Sequence, residues 1–551
     1  MSSSRTDAIA ALSDTGFDVL VIGGGITGAG VARDAAMRGL RVALVEQDDF
    51  GSGTSGRSSR LVHGGVRYLE HGDLRLVFES SRERRTLLRI APHLVRPLAF
   101  VWPVYRGARI SRWKLALALS LYDALALFRN VGRHTRLDAR GVSTYEPAVG
   151  TERLMGGARY WDASTDDARL TLATILSARG AGAVVVNHAI VREVLRDGNR
   201  VAGARVTDVE TGRVLDVRAR LVVNATGPWS DRIEELAHAD GVAAVRGSKG
   251  VHVSVPRARV GNEAALTLIA PQDGRVMFVL PSGAFTIIGT TDTYDDVSPG
   301  EVRASERDVD YLLASANHYF PAAALTRADV VSAWAGLRPL AVSGGPGGDP
   351  GNASREHAIQ ETTPGLIRVT GGKLTTYRAM AEEIVDTVQA TLAVHATSCR
   401  TAHVPLAGGD VADLATTVEA ATLATADEDV GRRLARAYGS AWVSVWALVV
   451  DNPALGARIT PAHPYLKAEL VYGVTHEMAR TLADLLVRRV PLAFETPDHG
   501  RAVARDVAAV VAAWLAWDDA ACARALSDYE VDVSRMFTID NDATAIRPRL
   551  P

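Results

Sequence analysis

Cysteine is nearly missing from this chain of 551 residues. Only Cys399 and Cys522 occur, which excludes a disulfide framework and points to a reducing compartment. No CxxC pair and no iron–sulfur spacing exists. Lysine is almost as scarce: Lys114, Lys249, Lys373 and Lys467 stand in a chain whose basic residues are otherwise arginine. Each lysine is worth inspecting, because a compact ammonium and a planar guanidinium serve different chemistry. Neither charge sign dominates, with 61 Lys+Arg against 63 Asp+Glu and a net charge of -2, so no global field draws nucleic acid or an anionic bilayer. Any basic site must be local. Long apolar runs are missing too: the longest, 115–128, has 14 residues and contains Asp123, whereas about 18 to 20 are needed to span a bilayer. The first residues, MSSSRTDAIAALSDTG, lack the charged-then-apolar pattern of a secretory signal, so the cytoplasm is the expected location.

Hydrophobic residues at 47% and charged residues at 23% are globular averages, which excludes a disordered chain and a coiled coil. DVLVIGG reads as a short buried strand, GGGITGAGVARDAAMRGL as a turn and helix, and RVALVEQ as a second strand, a βαβ unit. The stretch 74–129 reads as mostly helical, broken by Pro92, Pro97 and Pro103. A helix near 167–179 and strands at 183–224 follow, then short β-rich runs over 250–300 that suggest an antiparallel sheet. LIRVTGGKLTTYRAMAEEIVDTVQATL is a last strand, glycine turn and helix. Beyond residue 395 the chain is Ala- and Arg-rich with helical spacing. An α/β body, 1–395, followed by a helical domain, 396–551, is therefore expected.

The strongest motif is VIGGGITGAG, with Gly23, Gly25 and Gly28 in GxGxxG register between strand and helix. Glycines there allow a tight turn and let the helix N-terminus approach a pyrophosphate. Glu46, 18 residues beyond Gly28 at the end of the second strand, suits a ribose diol. Dinucleotide binding follows, and this fingerprint leaves FAD and NAD both open.

LVVNATGPWS (221–230) looks like the strand–ATG turn of FAD-dependent oxidoreductases. With TSGRSSRLVHGGVRYLEHG (54–72), IIGTTD (287–292), SAWAGLRPL (332–340) and VTGGKLTTYR (369–378), the chain closely resembles FAD-dependent glycerol-3-phosphate dehydrogenases of the bacterial respiratory type. The resemblance implies an FAD-binding Rossmann-like domain of the glutathione-reductase/D-amino-acid-oxidase type. It also implies an antiparallel-sheet substrate domain and a C-terminal helical domain. The FAD-binding parts would be about 17–75, 150–235 and 350–395, and the substrate-domain parts about 76–149 and 236–349. FAD would be held non-covalently, with Thr54, Ser55 and Ser59 as hydroxyl donors, Ala225 and Gly227 beneath the dinucleotide, and Gly372, Leu374 and Thr375 as backbone donors near the ring. The implied reaction oxidises sn-glycerol 3-phosphate to dihydroxyacetone phosphate and passes the electrons to membrane quinone.

A phosphorylated polyol needs clustered cations, preferably forked guanidiniums. Arg67, Arg338, Arg355 and Lys373 are the candidates, with Tyr68 shaping the pocket. Oxidising an alcohol also needs a base near neutral pH, for which His63 is preferred and His252 is second. Arg338 and Lys373 would stabilise developing alkoxide charge. The run 102–128 offers Trp, Tyr, Arg and Lys beside an apolar helix, which suits an interfacial anchor on the cytoplasmic membrane face or equally a buried helix of the substrate domain. A homodimer is also considered. His395, Cys399 and His403 recur every four residues, but their Thr/Ser-rich setting at the domain boundary reads as linker, and no metal is expected. Alternatives are a glycerol-3-phosphate oxidase using oxygen and a related amine or amino-acid oxidase.

Overall fold

The computed structural model describes residues 5–14, 16–66, 73–127, 130–238, 245–294, 297–341 and 357–541. Two sheets organise it. In the first, Phe17–Ile22 lies between Val42–Val45 and Val214–Asn224, all parallel, with Val184–Val186 outside the former and Leu366–Thr370 outside the latter. Ala358–Thr363 closes one edge, and the hairpin of Ala189–Asp197 and Arg200–Asp208 branches from Val214–Asn224, giving eight strands. The central strands are nearly continuous apolar runs because both faces are covered. Helices Ile26–Met37, Asp167–Gly180 and Tyr377–Leu392 pack on one face through Ala29, Ala32, Leu172, Ile175, Ile384 and Val385.

The second sheet has ten strands, mostly antiparallel. Val245–Pro256 pairs with Phe285–Gly289 on one side and Ser332–Ala341 on the other. Val276–Ser282, Ala265–Ile269, Arg96–Tyr105 and Leu154–Ser164 continue it to Leu61–Val62. Two expectations change here. The 74–129 stretch is not helical throughout, because Arg96–Tyr105 is a strand despite Pro97 and Pro103. Its parallel neighbour Ala265–Ile269 reaches it only at Phe100 and Val101, so neither proline removes a hydrogen bond on that side. The cofactor-binding boundary near 150 also moves, since Leu154–Ser164 and Leu61–Val62 both belong to this second sheet. Apolar alternation identifies a strand without saying which sheet it joins.

After residue 395 the described residues contain no long strand. Residues 393–413 form no helix, so His395, Cys399 and His403 share no helix face. Arg33, buried in the body, instead donates to the carbonyls of Thr401 and Val404, strapping the linker down. The helices that follow include Lys467–Glu477, the π-helical turn Asp484–Arg489, Arg501–Leu515 and Asp519–Phe537. They share one apolar core with the second sheet: Leu485, Leu486, Val507 and Phe537 cluster with Phe100, Tyr160 and Trp334. Phe494 sets its ring edge-on to Trp334 at 5.2 Å. The domain boundary seen in composition is therefore not a boundary in packing.

Candidate active site

A single long cleft runs from the end of strand Phe17–Ile22 to the face of the second sheet. Its dinucleotide end is built largely of backbone. Gly23 has φ +110, and a Cβ there would lie 2.7 Å from the Ala225 carbonyl oxygen. A Cβ on Gly28 would run into the Gly23 carbonyl, so Gly28 stands behind the cleft wall and makes the turn possible rather than lining it. Gly25 caps helix Ile26–Met37, whose first amide donates to Ser55 Oγ at 2.9 Å.

Glu46 sits in the wall of this end, accepting the Gly24 amide at Oε2 (2.6 Å) and the Asp48 amide at Oε1 (3.0 Å). Burial pushes its carboxyl up to about 7, opposed by those two amides. A carboxylate so placed is stabilised by further hydroxyl donors, which is what a ribose diol brings. The glycine cradle and this acid fit a dinucleotide. Ala225, Thr226, Gly227 and Trp229 line the opposite wall.

Loop 51–66 crosses from one sheet to the other. Thr54 donates to the Leu337 carbonyl at 2.6 Å, so its one hydroxyl proton is taken up by the protein and the expected donation to cofactor is not what this arrangement provides. Ser55 is an acceptor toward Ile26, which leaves its proton for the cleft. Ser59 Oγ lies 2.8 Å from His252 Nε2. The His63 amide donates to Thr375 Oγ1 at 3.1 Å, and the next amide, of Gly64, to Asp162 Oδ1 at 2.9 Å. Asp162 is itself held by Arg84 and by the Tyr122 hydroxyl (2.7 Å), so the segment carrying His63 is pinned on both sides.

On the second-sheet side of the cleft, Arg338 projects from strand Ser332–Ala341 opposite Ser248. Its guanidinium donates to Asp292 Oδ1 (3.1 Å), Thr290 Oγ1 (2.9 Å) and the Thr291 carbonyl (3.2 Å). It crosses the neighbouring strand over Gly250, where a Cβ would lie 2.7 Å from its central carbon. Lys373 follows Gly371 and Gly372, at φ +74 and +95, in the turn before helix Tyr377–Leu392. A Cβ on Gly372 would collide with the Met380 thioether.

His63, His252, Arg338 and Lys373 all line the cleft, as do Gly23, Gly25, Glu46, Thr54, Ser55, Ser59, Ala225, Gly227, Gly372, Leu374 and Thr375. Arg67, Tyr68 and Arg355 lie outside the described residues. The two histidines differ sharply. His252 is buried and stacked on Trp334, with centroids 5.4 Å apart. Burial, with Arg338 and Arg60 adding repulsion, pushes its imidazole down to about 3, so it stays neutral and is a weak proton acceptor. His63 is half-buried with its ring in the cleft, tilted 6.3 Å from that of Phe278.

Sequence reading missed Asp292, Thr290 and Gly250, which hold Arg338, and Asp162, Arg84 and Tyr122, which hold the His63 segment. IIGTTD carried Asp292 in plain sight, but nothing along the chain pairs it with Arg338. Thr290 lies in the same motif, whereas Gly250, Asp162, Arg84 and Tyr122 sit outside the quoted motifs.

A family model described as FAD dependent oxidoreductase matches residues 18–387, and one described as the C-terminal domain of alpha-glycerophosphate oxidase matches 399–522. "Glycerol-3-phosphate dehydrogenase 2" of Mycobacterium tuberculosis is 40% identical over 528 residues, 93% of this chain and 87% of its own length. A "Glycerol-3-phosphate dehydrogenase" of Synechocystis is 38% identical over 541 residues, covering 94% and 96%. The chain belongs to the FAD-dependent glycerol-3-phosphate dehydrogenase family. The solved glycerol-3-phosphate dehydrogenase of Bacillus halodurans, complexed with FAD, superposes with TM-score 0.80 at 33% identity, covering 97% of this chain and 99% of that one. As in this family, the cofactor is FAD, and the fold is the FAD-dependent oxidoreductase fold with mixed sheets and a helical C-terminal domain. Likeness to an L-alpha-glycerophosphate oxidase of Mycoplasma pneumoniae, TM-score 0.55 at 18% identity, shows the fold alone.

Proposed function

We propose that this dehydrogenase oxidises sn-glycerol 3-phosphate to dihydroxyacetone phosphate and passes the electrons to membrane quinone. The observation that carries the reading is that Arg338, Lys373 and His63 line the same cleft as the dinucleotide cradle. Arg338, oriented by Asp292 and Thr290, and Lys373 bind the phosphate dianion and steady the developing alkoxide. Arg67, Tyr68 and Arg355 are assigned to substrate contact by motif. His63 takes the C2 hydroxyl proton, because His252, pushed down to about 3 by burial and bonded to Ser59, is too weak a proton acceptor. Bound FAD supplies the two-electron oxidant that accepts the hydride from C2. The anaerobic visible spectrum tests this: glycerol 3-phosphate should bleach the flavin and glycerol should not. Bleaching by glycerol, or by neither, rejects the substrate assignment.

A quinone acceptor requires access to the bilayer, and one surface supports it. On helix Arg112–Leu125, Trp113, Leu117 and Leu121 recur every four residues and are 66%, 63% and 40% exposed. Leu74 and Phe78 are exposed on the neighbouring helix Leu74–Ile90, and Lys114 flanks Trp113. No helix among the described residues is long and apolar enough to cross a membrane, so contact would be interfacial. Trp113→Glu with Leu117→Glu should abolish sedimentation with anionic vesicles while glycerol 3-phosphate still reduces the flavin. Hydrogen peroxide formed at the full rate without quinone would favour the oxidase reading.

A further inference from the structure

Charges from the C-terminal domain reach the turn that follows Glu46 in the wall of the FAD cleft. Asp49, fully buried, lies three residues beyond Glu46 in the turn that ends strand Val42–Val45. Its Oδ2 accepts Arg488 Nε and Arg489 Nη1, each at 2.6 Å, and its Oδ1 accepts Arg489 Nη2 and Asn187 Nδ2, each at 3.1 Å. Arg489 is 1% exposed and also donates to the Glu477 carbonyl at 2.6 Å. A forked guanidinium bound at both ends of a carboxylate fixes direction as well as distance.

Among the described residues, the other backbone hydrogen bonds of this turn run into the FAD-binding part. The Asp48 amide orients Glu46, the Asp48 carbonyl accepts the His188 amide at 2.8 Å, and the Gly51 amide reaches the Gly24 carbonyl at 3.1 Å. Asp49, His188 and Asp484 place ligand-type atoms within 4.8 Å of one another. That is not a metal centre in the making. Asp484 already accepts Arg488 and the Thr481 hydroxyl at Oδ1, and His188 with the Arg480 and Thr481 amides at Oδ2. Two guanidiniums balance two carboxylates whose lone pairs are filled.

We propose that Arg488 and Arg489 are positioning residues for the cofactor: by gripping Asp49 they hold the 47–50 turn so that the Asp48 amide aims Glu46 at the FAD ribose. The C-terminal domain is then a working part of the cofactor site, 440 residues along the chain from the turn it holds. A second link, from Arg179 to the His476 carbonyl at 3.0 Å, joins the same two domains without touching that turn or either arginine and serves as the control.

The test is FAD titration of the full-length protein after the flavin is removed, alongside the melting temperature of the FAD-free form. Asp49→Asn should raise the FAD Kd at least tenfold. Arg488→Lys keeps the charge, sits partly exposed, and should raise it severalfold, so it decides the matter should Asp49→Asn fail to fold. Arg179→Gln should lower the melting temperature and leave the FAD Kd within twofold of the parent. An unchanged Kd in Arg488→Lys, or a Kd raised as far by Arg179→Gln as by Arg488→Lys, would reduce these contacts to interdomain glue and overturn the proposal.

Discussion

The two ends of the cleft are made by different means. At the dinucleotide end the glycine cradle is local: Gly23, Gly25, Gly28 and Glu46 lie within 24 positions and the backbone itself shapes it, with Ala225 to Trp229 supplying only the opposite wall. The substrate end is assembled from afar, with Arg338 held by Asp292 across 46 positions and the His63 segment by Asp162 across 98. A site shaped by backbone fails when a methyl group is added. A site shaped by side chains fails when a partner is removed.

The largest expected effect follows at the local end. Gly28→Ala drives a methyl group into the Gly23 carbonyl, which cannot yield without opening the turn, so the purified protein should carry no flavin. Retention of FAD at parental occupancy would break the comparison there. Next, Arg338→Ala should keep FAD and lower kcat/KM for glycerol 3-phosphate by at least about a hundredfold, some 2.7 kcal/mol of transition-state stabilisation. Gly250→Ala should reproduce part of that loss by displacing the same guanidinium, which would show that a glycine matters at the distant end too.

Smaller effects sharpen the contrast. His63→Ala should slow anaerobic flavin reduction about a hundredfold at neutral pH. His252→Ala should leave the shape of the pH–rate profile between pH 5 and 8 unchanged, because a group pushed down to about 3 does not titrate there. A lost inflection in the His252 variant would reverse the assignment of the base. Last, Glu46 is raised to about 7 by burial in the FAD-free protein and accepts ribose hydroxyls best when ionised. FAD binding therefore releases a proton, so the Kd should tighten by up to about tenfold per pH unit as pH rises toward 7 and level off above it. Glu46→Gln should flatten that slope.

How much could be read along the chain follows the same division. The GxGxxG turn, Glu46 and the β–α–β order were legible because hydrogen bonds and steric limits there act between near neighbours. Arg338 and Lys373 were legible as cations inside glycine-rich motifs, but not the reason Arg338 can reach the cleft, which is an empty Cβ position on Gly250 in the next strand. Thr54 was legible as a hydroxyl in the correct loop and misassigned in role, since its partner Leu337 is 283 positions away. The Asp49 pairs were invisible for the same reason: two arginines in a chain with so many carry no mark of which is buried. Pro97 and Pro103 misled because strand tolerance depends on which edge is paired, a property of the neighbour.

Loop 51–66 constrains how the two sheets can move. It is tacked to Gly24, to Leu337, to His252 and to Thr375 along its length, and so rivets the two sheets together along the floor of the cleft. A rigid swing of one sheet away from the other would shear at least two of these attachments at once. The reacting geometry therefore stays assembled between cycles instead of being rebuilt in each.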